Sequence, residues 1–102
     1  MIDIDKQTID VIFNQFWLEK YRNKDILVSD FGLKDLELLL WIRIKYLIDF
    51  DRDKLMTTLY RIDINEDAIK KIFKYSKTEL IPNKIAKLII SRVAEKMENY
   101  RI

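Results

Sequence analysis

The stretch Leu36–Phe50, LELLLWIRIKYLIDF, constrains this chain most: eleven of its fifteen residues are apolar, and no Gly or Pro interrupts it. At 100° per residue, Leu36, Leu39, Leu40, Ile44, Tyr46, Leu47 and Phe50 fill one broad helical face. Trp41, Ile42 and Ile48 extend that face on both sides. A helix that is apolar nearly all round belongs in a protein interior or in a membrane. A membrane span needs about 20 residues with few or no charges. This stretch is shorter and carries Glu37, Arg43, Lys45 and Asp49, so a membrane is excluded. The expectation is a buried central helix over residues 35–50 with the remaining segments wrapped around it.

Residues 42 to 50 also alternate with period two, as a strand would: Ile42, Ile44, Tyr46, Ile48 and Phe50. Length, the preceding Leu run and the absence of turn residues inside the stretch favour the helix. Arg43 is the odd residue in it, because Leu39, Leu40, Tyr46 and Leu47 lie three and four positions away. It is expected to be buried or half-buried. Its stem would cover apolar surface while its head reaches water or a structural carboxylate. The alternative is a buried guanidinium that holds an anionic ligand or partner group.

The rest of the 102 residues reads as one helical domain over 1–102. One Gly and one Pro are few for a fold built on tight turns, so the composition leans all-α. Asp5 suits an N-cap for a first helix running to about Tyr21, with Ile9, Ile12, Phe13, Phe16 and Trp17 as its core face. Val11 and Leu18, seven apart, would then sit on the opposite face. Asn23 to Gly32 reads as a connection whose Ile26, Leu27, Val28 and Phe31 tuck onto the core. Asp51 to Lys54 is a polar break that caps a third helix. Residues 61 to 65 read as an extended joint, and Asn65 as the N-cap of a fourth helix from Glu66 to Ser76. Lys77 to Asn83 reads as a loop, with Pro82 in the first turn of a fifth helix that frays near Asn99. The reading is a single-domain bundle of about five helices.

The segment from the central helix through LYRIDINE to IAKLIISRVAEK resembles a group of small uncharacterised bacterial all-helical proteins. The likeness covers the last two-thirds of the chain and centres on Leu59-Tyr60-Arg61-Ile62-Asp63-Ile64. It implies a helical fold and a bacterial source, and brings no active site or substrate with it.

Chemistry is poorly supplied. There is no Cys, which excludes disulfides and thiolate metal sites, and no His, which removes the usual general base. No phosphate-binding Gly-rich loop and no metal-ligand spacing occur. An acidic set such as Asp10, Asp63 and Glu66 would have to meet in space to do acid–base work. No catalytic residue, cofactor or metal is therefore expected. The opening MIDIDKQTID lacks the basic start and apolar stretch of a signal peptide, so a cytoplasmic location is expected.

Two surfaces remain. Residues 1–51 hold 7 basic and 10 acidic side chains, and residues 52–102 hold 12 and 7. Within the basic half, Lys70, Lys71, Lys74 and Lys77 lie on the fourth helix or just after it. Lys84 and Lys87 continue the patch onto the fifth, with Tyr75 nearby. Nucleic-acid binders use such a face for phosphates. Yet acids opening a helix and lysines closing it also suit the macrodipole, and no Asn, Gln or Arg is placed there to read base edges. The favoured function is a non-catalytic protein–protein interaction or accessory module, with a protein partner that can be a second copy. Nucleic-acid binding through the lysine face is the alternative. Interfaces favour aromatic residues, which make up 12% of the chain. The expected partner contacts are Val11, Trp17, Leu18 and Tyr21, with Tyr100 a weaker candidate.

Overall fold

A computed structural model describes residues 6–19 and 32–99. Five helices form it: α1 (Lys6–Gln15), α2 (Leu33–Phe50), α3 (Arg52–Arg61), α4 (Glu66–Tyr75) and α5 (Ile81–Asn99). A 3-10 turn over Thr78–Leu80 precedes α5. The fold is all-α, and among the described residues there is no strand. Residues 42 to 50 are helical throughout, so their alternation of apolar residues is incidental. Asp5, Tyr21, Tyr100 and the connection from Asn23 to Phe31 lie outside the described residues.

The helix boundaries follow from capping. Gly32 precedes α2, and the Asp35 carboxylate accepts from the Gly32 N–H at 2.9 Å, where negative charge also suits the helix dipole. One residue then joins α2 to α3. The Asp51 N–H donates to the Leu47 carbonyl at 2.8 Å and closes α2. The Asp51 side chain accepts from the Lys54 N–H at 3.2 Å and opens α3. Asn65 caps α4 as expected, accepting from the Ala68 N–H at 3.1 Å. Residues 77 to 83 are not a plain loop. They form the 3-10 turn and the start of α5, because Pro82 fits a first helical turn whose N–H groups have no intrahelical partner.

Two helices end on the same device. Asp63 has φ 60°; its N–H donates to Tyr60 at 3.0 Å and the next N–H, of Ile64, reaches Leu59 at 3.1 Å. This is a Schellman C-cap with Asp in the left-handed position, and the buried Ile64 and Leu59 form its apolar clasp. The joint from Arg61 to Asn65 is therefore a tight turn, not an extended link. Trp17 also has φ 60°, and the Leu18 N–H bonds the Phe13 carbonyl at 2.9 Å. That turn ends α1 at Gln15, well short of Tyr21.

One apolar core holds the helices together, with contributions from all five. α5 is its hub and packs on α1, α2 and α4. Its buried Ile81, Ile85, Ala86, Ile89, Ile90 and Val93 spread over about half of its circumference. α2 packs on α5 and α3 and buries Leu36, Leu40, Ile44 and Leu47, which occupy only about a quarter of its circumference. Its burial is thus one-sided, and several apolar residues expected in the core face outward.

Candidate interaction face

The outward residues of α2 form a row. Leu38 is 59% exposed, Ile42 47%, Tyr46 53% and Phe50 74%. Each follows the last by four residues, so they lie one above another along the helix. The Tyr46 and Phe50 rings stand 5.0 Å apart in a tilted arrangement. The sequence places all four in the apolar majority of α2, but only the number of neighbouring helices decides which of them are covered. Beside the row, Lys45 and Asp49 form an i,i+4 ion pair at 3.1 Å.

Trp17 lies on the Arg43 side of this row. Its backbone is left-handed, a conformation that costs a non-Gly residue about 1–2 kcal/mol. Two cations hold it in place. The Arg43 guanidinium donates to the Trp17 carbonyl at 3.2 Å. The Lys54 ammonium sits 4.0 Å from the centre of the indole ring, a cation–π contact. The indole remains 38% exposed. Phe50 follows Arg43 by seven residues, two turns along the same side of α2. The half-buried Arg43 was expected; its partner is a backbone carbonyl and not a carboxylate. Among the described residues neither Arg43 nor Lys54 has a carboxylate partner.

The other expected contacts fare differently. Leu18 is buried at 1% exposure, so it offers nothing to a partner. The helical spacing from Val11 does not reach it, because α1 has already ended and the turn at Trp17 folds Leu18 back onto Phe13. Val11 is half-buried and packs against the core.

All six lysines of the basic face are exposed. Lys84 donates to the Ser76 hydroxyl at 3.1 Å, which ties the first turns of α5 to the end of α4. Lys70 pairs with Glu66 at 3.5 Å, and Lys74 lies 5.3 Å from the ring of the exposed Tyr75. Among the described residues the side chains of Lys71, Lys77 and Lys87 have no hydrogen bond or ion pair.

A groove of about 550 Å³ runs between α2, α4 and the start of α5. Trp41, Ile48, Phe73, Ile81 and Pro82 make its apolar surface, and Lys45, Asp49, Arg52 and Glu79 lie along its rim. Its cations are occupied: Lys45 by Asp49, and Arg52 by the Phe73 ring, 5.3 Å from its guanidinium carbon. The volume suits a small ligand, but no buried polar group converges on it. Among the described residues no group of three or more acidic side chains is placed to hold a metal ion, so Asp10, Asp63 and Glu66 form no such set. No helix among them is long and apolar enough to cross a membrane.

Comparison with protein-family models, with curated proteins and with solved structures finds no match.

Proposed function

We propose that this chain is a non-catalytic protein-interaction module and that its docking surface is the outward row of α2 together with Trp17. The observation that carries this reading is the regular exposure of Leu38, Ile42, Tyr46 and Phe50 on one helix. Scattered exposed apolar residues are ordinary, whereas a contiguous patch of several hundred Å² marks a contact surface. The composition fits as well: Trp, Tyr and Arg are the residues that carry most binding energy in protein interfaces. A strained Trp17 adds to this, since backbone strain in folded proteins clusters at functional positions.

The test is a photoreactive residue placed at position 42, in the cells from which the chain comes. A discrete adduct that disappears when Tyr46→Glu is added is the expected result. The same group at position 71, on the lysine face, should give none. An adduct at 71 and none at 42 would refute the reading.

One observation favours a second reading. Lys84 is hydrogen-bonded to Ser76 at the end of α4, and among the described residues the side chains of three of the six lysines have no partner. Such a face would bind nucleic-acid backbone without reading sequence. Its test is a salt titration against generic duplex and single-stranded DNA; no measurable affinity at low salt removes it.

A further inference from the structure

We infer that the occupant of the α2 face is a second copy of this chain, seated so that the two α2 helices run antiparallel about a two-fold axis. This rests on the docking role proposed above and names the partner.

Area is the first argument. A large side chain presents about 200 Å² when fully exposed, so the exposed fractions of the row and of Trp17 together amount to about 500 Å². A stable interface buries about 800 Å² on each side. Five side chains thus supply more than half of what a dimer needs, and the flanking residues can supply the remainder.

Self-complementarity is the second. A row of residues four apart is the ridge that packs between the ridges of another helix. Here the row is centred on position 44, so an antiparallel copy sets Leu38 against the partner's Phe50 and Ile42 against the partner's Tyr46. Each aliphatic side chain then meets an aromatic one, and bulk is matched along the seam. A parallel copy would stack Phe50 on Phe50 and Leu38 on Leu38, wide at one end and thin at the other.

Charge is the third. The N-terminal end of the row carries Asp35, whose carboxylate accepts from the Gly32 N–H and has no cation partner among the described residues. Arg43 and Lys54, without carboxylates among the described residues, both lie at Trp17, with Arg43 near the middle of the row. Antiparallel seating opposes the two helix dipoles. Parallel seating sets like against like. The Lys45–Asp49 pair on the flank is neutral and hinders neither arrangement.

The absence of cysteine makes the geometry directly testable. Light scattering on the purified chain at about 100 μM, above the μM range of weak interfaces, should give twice the 12.4 kDa chain mass. Ile42→Glu should return it to the single-chain mass with its helical circular dichroism unchanged. Leu38→Cys and Phe50→Cys chains should form a disulfide-linked pair when mixed and oxidised. Neither should do so alone, since positions 38 and 50 lie about 18 Å apart along the helix. Cross-linking of each chain alone, with no mixed pair on mixing, would overturn the antiparallel seating. A wild-type chain that stays monomeric would overturn self-pairing altogether. The photoreactive residue at 42 then separates the two claims. An adduct to another protein leaves the docking role standing without self-pairing, and no adduct removes both.

Discussion

The guanidinium of Arg43 donates to the carbonyl oxygen of Trp17, 26 residues away, at 3.2 Å. A second arginine repeats the arrangement, for Arg92 donates through Nε to the Asp63 carbonyl at 3.1 Å. In both places the accepting residue is the one with left-handed backbone that ends a helix. A later helix thus holds each turn shut from outside. Arg43→Met removes the donor while keeping the apolar stem. It should cost about 0.5–1.5 kcal/mol. That would lower the melting temperature by a few degrees, at about 4–8 °C per kcal/mol for a domain of this size. Thermal denaturation followed by circular dichroism measures it. An unchanged midpoint would show that the bond contributes nothing.

Asp63 tests the turn itself. Gly accepts the left-handed conformation at no steric cost, and the exposed pair lost with it, Asp63 to Lys96 at 3.3 Å, is of the kind worth little. Asp63→Gly is therefore expected to stabilise the chain by about 0.5 kcal/mol. Asp63→Val, β-branched in the same position, should destabilise it by about 1–2 kcal/mol. Chemical denaturation of the two variants side by side distinguishes them, and equal midpoints would contradict the assignment.

Helix capping offers a third measurement. Asn65 and Asp51 each accept from the backbone N–H three residues on. Asn65→Ala and Asp51→Ala should each cost about 1 kcal/mol. Amide exchange should show the loss in the first turn of α4 for one and of α3 for the other.

The contrast between α5 and the outward row of α2 is the sharpest stability test. Ile89 is fully buried in the hub helix, so Ile89→Ala should cost about 2–5 kcal/mol. Leu38→Ala, equally apolar by composition, should shift the stability of the single chain by no more than about 0.5 kcal/mol. If the two variants lose similar stability when the chain is dilute, α2 is covered on both sides and the exposed row does not exist.

These sites show what could be read from residues alone. The helices of the second half were legible because their signals are local: Asn65 caps, Pro82 starts, and acids and lysines sit at opposite ends of α4. The end of α1 was not legible, because Trp17 is among the last residues expected at a left-handed position. The error carried forward to Leu18, whose place on a helical wheel has no meaning once the helix has stopped. The outward row was hidden for another reason. Ile44 and Ile42 are the same residue type and both belong to the expected apolar face, and only the placement of the neighbouring helices decides that one is covered and the other bare. Of the expected partner contacts among the described residues, Trp17 alone falls where a docking surface is proposed, held there by contacts from α2 and α3 that no local pattern announces.

The Asp51 junction fixes more than two helix ends. With a single residue between α2 and α3, one inserted residue would turn α3 by about 100° about its axis and carry Leu55 and Leu59 out of the core. Length variation at this elbow is therefore forbidden, and any change in the reach of α2 must occur at its Gly32 end.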